Sequence, residues 1–137
     1  MKKEHLLSAL WIFLTLNFIF CDVFTLMYSV ELKKILTGQM GEITITQEFL
    51  LAFALMMEIP MLMILLSWIQ KPKLNRILNI AFGMLLFLVQ SGSLLADTNS
   101  LHYLFFSSVE LGTLAVIMGI AIAWKPARAE LNPIAQG

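Results

Sequence analysis

Charge and cysteine are scarce in this chain, and each scarcity closes off a class of function. Only 13% of the residues are charged, about half the share found in an ordinary soluble domain. The formal net charge is zero, so the overall balance gives no electrostatic pull towards nucleic acid. Cys21 is the single cysteine, which excludes an internal disulfide and any metal site built from several thiolates. It falls within an apolar run, where a thiol packs as a small hydrophobic group. No glycine-rich phosphate loop, nucleophile elbow or zinc-helix motif occurs, and nothing in the chain calls for a cofactor. No internal repeat or low-complexity stretch divides it. No small-x-small cleavage site follows the apolar run 6–28, which is longer than the roughly 7–15 residues of a signal-peptide core. That run reads as a retained membrane helix.

What is abundant is apolar side chain: 59% of residues are hydrophobic and the mean hydropathy is +0.84. A helix needs about 20 mostly apolar residues to cross roughly 30 Å of hydrocarbon. Segments 6–28, 47–69, 74–96 and 101–124 each meet that length. The expected fold is therefore an all-α membrane protein, a four-transmembrane-helix antiparallel bundle forming one domain over residues 1–137. Pro72 ahead of the third segment, Thr98, Asn99 and Ser100 ahead of the fourth, and Pro126 after Trp124 supply the punctuation.

Basic residues are placed unevenly. Lys2, Lys3, Lys71, Lys73, Arg76, Lys125 and Arg128 flank the two termini and the second connection, whereas the first connection holds only Lys33 and Lys34. The positive-inside rule assigns both termini and the tail 125–137 to the cytoplasm, as in a multi-pass protein of the cell's inner or plasma membrane. Trp11, Trp68 and Trp124 are expected at that interface. Short second and third connections make the second and third segments, and the third and fourth, antiparallel neighbours. In the long outer connection 29–46, Val30, Leu32, Ile35 and Leu36 alternate with Glu31, Lys33 and Lys34 as in a short amphipathic helix. Gly38 and Gly41 should break it before an extended Ile43-Thr44-Ile45-Thr46.

The functional signal is a layer of polar residues inside the apolar segments. An ionisable side chain at membrane depth costs roughly 2.5–3.5 kcal/mol on insertion scales and faces a bundle interior or a watery cavity. At 1.5 Å per residue from the outer helix ends, Asp22 and Gln90 lie about 9 Å down, Glu110 about 14 Å and Glu58 about 16 Å, with Asn17 level with Glu58. Arg76, Asn79, Gly83, Leu86, Gln90, Ser93 and Asp97 share one face of the third helix. Trp11, Thr15, Phe18, Asp22, Thr25 and Ser29 share a face of the first, and Tyr103, Phe106, Glu110 and Thr113 a face of the fourth. Pro60, two residues after Glu58, frees a carbonyl and favours a bend beside the acid. His102, at the outer start of the fourth helix, stands as an interfacial cap or as a proton donor between outside water and the buried acids. Asn17, Asn79 and Gln90 also read as interhelical hydrogen-bond partners. Cys21, Asp22, His102 and Glu110 show no spacing that makes a metal site. Ser108, Gly112, Ala115 and Gly119 form a small-residue stripe that suits internal packing or a homodimer.

Leu10-Trp11-Ile12-Phe13 with Asn17 and Asp22, Met57-Glu58-Ile59-Pro60, Leu74-Asn75-Arg76 with Asn79, and His102-Tyr103 with Phe105-Phe106 and Glu110 carry a family resemblance. Over nearly its whole length the chain resembles an uncharacterised family of small bacterial four-helix integral membrane proteins. The resemblance implies the fold and no particular activity. In size and topology alone the chain is also similar, more distantly, to DoxX-like proteins. Small multidrug resistance transporters have four helices and a carboxylate in the first. Asp22 lies well past the middle of its segment, and Glu58 and Glu110 have no counterpart in that pattern, so their activity is not carried over.

Three readings follow. In the first, Glu58 and Glu110 are the central acids of a proton-, solute- or lipid-binding site, as in a small transporter, with Asp22, Gln90 and His102 on its outer access side. In the second, His102 with Glu110, or Asp22 with Glu58, performs acid–base chemistry on a lipid-like substrate. In the third, the chain is a packing module whose polar groups are all paired between helices. The partners these readings imply are the lipid bilayer, a small-molecule or lipid ligand, and a second copy of the chain.

Overall fold

The computed structural model describes residues 1–96 and 98–125. The expected roles of Asp97, Pro126 and Arg128, and most of the tail 125–137, lie outside the described residues. In chain order the elements are α1 (Lys3–Met27), α2 (Ser29–Leu36), β1 (Gln39–Met40), β2 (Ile43–Thr44), α3 (Gln47–Ile69), α4 (Pro72–Ala96) and α5 (Leu101–Ala123). Of these, α1, α3, α4 and α5 are the four helices long and apolar enough to cross a membrane. Their outward faces carry residues such as Ile12, Phe13, Leu16, Leu55, Leu62 and Phe105, all exposed in the isolated chain. Such a surface suits hydrocarbon, because each helix satisfies its own backbone polar groups. These are the marks of a membrane protein with a four-helix bundle.

Local chemistry sets the helix ends. Pro72 is the first residue of α4, where its missing N–H removes a donor that has no helical partner anyway. Thr46 Oγ1 accepts the Phe49 N–H at 3.1 Å and so caps α3. Tyr28, with ψ near 109°, turns the chain from α1 into α2. Gly38 and Gly41 take positive φ, a conformation open to glycine, and frame the hairpin in which Gln39 pairs with Thr44 and Met40 with Ile43. At the far end of the molecule, Arg76 Nε and Nη2 donate to the Ala121 and Ile122 carbonyls at 3.0 and 3.2 Å. These are last-turn carbonyls of α5, and the Ala121 carbonyl also accepts the Trp124 N–H of the helix cap at 3.3 Å.

The helices do not pack as equals. α1 and α5 are central: α3 packs along α1, α1 along α5, and α5 along α4, while α3 and α4 touch only sparsely. The short connection makes α3 and α4 neighbours in sequence, yet their shared surface is small. Each buried stripe follows steps of three and four: Leu7, Trp11, Leu14, Phe18 and Cys21 on α1, and Ser107, Glu110, Leu114, Ile117 and Ala121 on α5.

A buried polar chain ties the end where α1 begins and α5 finishes. Trp11 Nε1 donates to Asn79 Oδ1 at 2.7 Å, Asn79 Nδ2 to Asn75 Oδ1 at 2.7 Å, and Asn75 Nδ2 to the Ser67 carbonyl at 2.7 Å. Ser8 Oγ adds a 2.9 Å bond to the Ile64 carbonyl. Trp11 is therefore no interface anchor, because its ring is fully buried and its N–H serves this chain. Trp124 is also buried. Trp68 is 60% exposed and stacks on His5 with ring centroids 4.3 Å apart. The stripe of Ser108, Gly112, Ala115 and Gly119 faces outward: Gly112 and Gly119 have nothing within 4 Å of an added Cβ. It takes no part in packing inside the chain.

Candidate functional site

The polar interior nearest the hairpin end of the bundle is a cavity of about 70 Å³ to which four helices contribute. Phe18, Cys21 and Asp22 come from α1, Met57 from α3, Gln90 from α4, and Tyr103 and Glu110 from α5. Cys21 and Glu110 lie on the buried stripes of their helices, so the packing that builds the core also delivers them to the cavity. Asp22 is one residue beyond Cys21, about 100° further round α1, and sits exposed at the cavity's edge.

Glu110 and Ser67 both keep buried side-chain oxygens without a hydrogen-bond partner among the described residues, and of the two Glu110 is the ionisable one. Its side chain is fully buried, and neither carboxylate oxygen has a hydrogen-bond partner among the described residues. A buried carboxylate left bare is far too costly to persist, so such a group holds a proton or faces a cation or water. The space beside it takes a few water molecules, each of which needs polar partners of the kind this lining supplies. The neighbouring polar groups are held in place. Gln90 Nε2 donates to Ser107 Oγ at 2.8 Å, joining α4 to α5 one turn from Glu110. The Tyr103 hydroxyl meets Ser93 Oγ at 2.5 Å.

The residues singled out from the sequence divide into those at the cavity and those away from it. Asp22, Gln90 and Glu110 line it together. Glu58 does not. It is exposed on α3, and Met57 occupies the cavity wall instead. Pro60, Met63 and Ser67 set the buried face of α3, and a residue two positions before Pro60 lies about 200° away from it. α3 runs without interruption through Pro60. Asn17 donates its amide to the Phe13 carbonyl of its own helix at 2.9 Å and does not reach the cavity.

His102 also lies off the cavity. Its Nε2 is 3.2 Å from Thr25 Oγ1 and its Nδ1 is 3.1 Å from Ser100 Oγ. Its ring sits near those of Tyr28 and Phe24, so it fastens α5 to α1 at the hairpin end. Neither His102 with Glu110 nor Asp22 with Glu58 is brought together at the cavity, as the acid–base reading requires. Among the described residues no three His, Cys, Asp or Glu side chains form a metal-binding group.

Sequence reasoning passed over Tyr103, Cys21, Met57 and Phe18 as site residues. Tyr103 was within reach, since it stands two turns before Glu110 on the same face. Met57 carries no polar signal at all. Only the phase of α3 assigns it.

The family model for the family of unknown function DUF6326 matches residues 1–130. The chain belongs to that family. No curated protein and no solved structure matches it. Membership agrees with the uncharacterised family that the sequence resembles and brings no activity with it, so the function rests on the cavity's own chemistry.

Proposed function

We propose that this chain is a small binding protein of the cell membrane that takes a proton, and a small solute in exchange with it, at Glu110. In this reading the termini are cytoplasmic, Asp22 is the entry from the outer side, and transport is the activity served. One observation carries the reading: Glu110 is fully buried with both oxygens unpartnered beside a cavity. A packing module would pair such a group across helices, as it pairs Trp11, Asn75 and Asn79. Gln90 and Tyr103 supply amide and hydroxyl groups that orient water or a polar solute beside the acid. Glu58 stands outside this mechanism.

The test is proton uptake by purified protein in lipid nanodiscs, followed with a pH-sensitive dye during acid pulses. The parent should bind one proton more than Glu110→Gln, and Asp22→Asn should slow the uptake without removing it. Equal proton counts in parent and Glu110→Gln overturn the proposal.

A further inference from the structure

A second hollow adjoins the first. It measures about 380 Å³ and lies between α1, α3 and the α2–hairpin segment, a size within the usual range of small-molecule sites. Leu26, Ile35, Met40, Ile45, Phe49 and Phe53 make its walls. Phe49 and Phe53 stack with centroids 6.3 Å apart, which leaves a continuous aromatic surface on α3. Its roof is held in place, because the Ile45 N–H donates to the Gly38 carbonyl at 2.8 Å. On α2, Ile35 lines the hollow while Lys34 pairs with Glu31 at 3.0 Å. The hollow's one ionisable side chain is Asp22, which also lines the cavity beside Glu110. Asp22 has no hydrogen-bond or ion-pair partner among the described residues.

We infer that this hollow binds an amphiphilic ammonium ion, its apolar body against Phe49, Phe53 and Ile45 and its charged head at Asp22. An apolar wall needs an apolar ligand, and an unpaired carboxylate set in that wall needs a cation to offset its desolvation. The stacked faces of Phe49 and Phe53 add dispersion contact for the apolar body. An anionic or zwitterionic phosphate headgroup brings negative charge towards Asp22 and is disfavoured. The inference rests on the proposed function only in making Asp22 the antechamber of Glu110, whose buried, unpartnered carboxyl lies one cavity further in.

Calorimetric titration of the protein in phosphatidylcholine nanodiscs, with empty nanodiscs subtracted, tests it. The probes are decylammonium and decanol, which share a chain and differ in head charge. Decylammonium should bind saturably and about ten-fold more tightly than decanol, as expected of one desolvated charge pair. Asp22→Asn should erase that preference, and Ile45→Trp, which fills the hollow, should weaken both probes. Nanodiscs doped with sphingosine, a lipid amine that carries no phosphate, separate the sources of the ammonium: weaker decylammonium binding there assigns the site to a lipid amine, unchanged binding to a free amphiphile. Equal affinity for the two probes in the parent overturns the inference even if Asp22→Asn does not fold. So does a preference that survives in Asp22→Asn. If Glu110-dependent proton uptake persists while the ammonium preference is absent, this inference alone fails.

Discussion

Trp11 and Asn79 meet across the bundle, indole N–H to amide oxygen at 2.7 Å, and join α1 to α4 although those helices share little other surface. The contact lies in a fully buried region where neither group has water to fall back on. Asn79→Ala strands the indole N–H and the Asn75 amide oxygen, and should cost about 1–3 kcal/mol. In a double-mutant cycle with Trp11→Phe, measured by unfolding in mixed micelles, the two changes should couple by about 0.5–2 kcal/mol. Strict additivity would show that the bond contributes nothing.

At Gly83, α4 lies close against Met118 of α5. A Cβ built there lies 2.8 Å from Met118 Cγ, so an alanine forces the Met118 side chain or the backbone to move. Gly83→Ala should destabilise by about 1–3 kcal/mol, the range of overpacking. Gly112→Ala and Gly119→Ala point into open space and should be neutral or stabilising by up to about 1 kcal/mol through helix propensity. Thermal unfolding of the three variants checks the contrast, and a reversed order would contradict the packing of α4 on α5.

Glu58 sits on the outward face of α3 among Leu55, Met61 and Leu62. Replacing it by leucine should make insertion of that helix about 3–4 kcal/mol more favourable on a translocon scale. The same variant should keep the proton uptake that Glu110→Gln removes. If Glu110→Gln removes no further proton in the Glu58→Leu background, the site moves to α3.

Much of the fold is legible in the sequence because lipid imposes simple rules: length, apolar content and helix punctuation mark the spans. Pro72, Gly38 and Gly41 act through backbone geometry that any reader can apply. The interior is harder. Polar residues in an apolar segment advertise depth and not direction, so Glu58 and Glu110 look alike until the phase of each helix is known. Pro60, Met63 and Ser67 fix that phase for α3, but none of them stands out among so many apolar neighbours. The same blindness sends Trp11 to the interface in the sequence reading, whereas its N–H has a buried partner on a helix 68 residues away. The sparse α3–α4 contact is also invisible to loop length, which limits distance at one end of a pair and says nothing of the other.

The most direct test of the central claim is infrared difference spectroscopy of the Glu110 carboxyl group in lipid nanodiscs. Parent and Glu110→Gln are compared across pH, and again after transfer to deuterated water. If Glu110 faces a hydrated cavity entered past Asp22, the parent shows a carboxyl signal absent from the variant. That signal titrates with pH and exchanges its proton promptly with solvent deuterium. Identical spectra in parent and variant, or a Glu110 signal that neither titrates nor exchanges, would contradict the account.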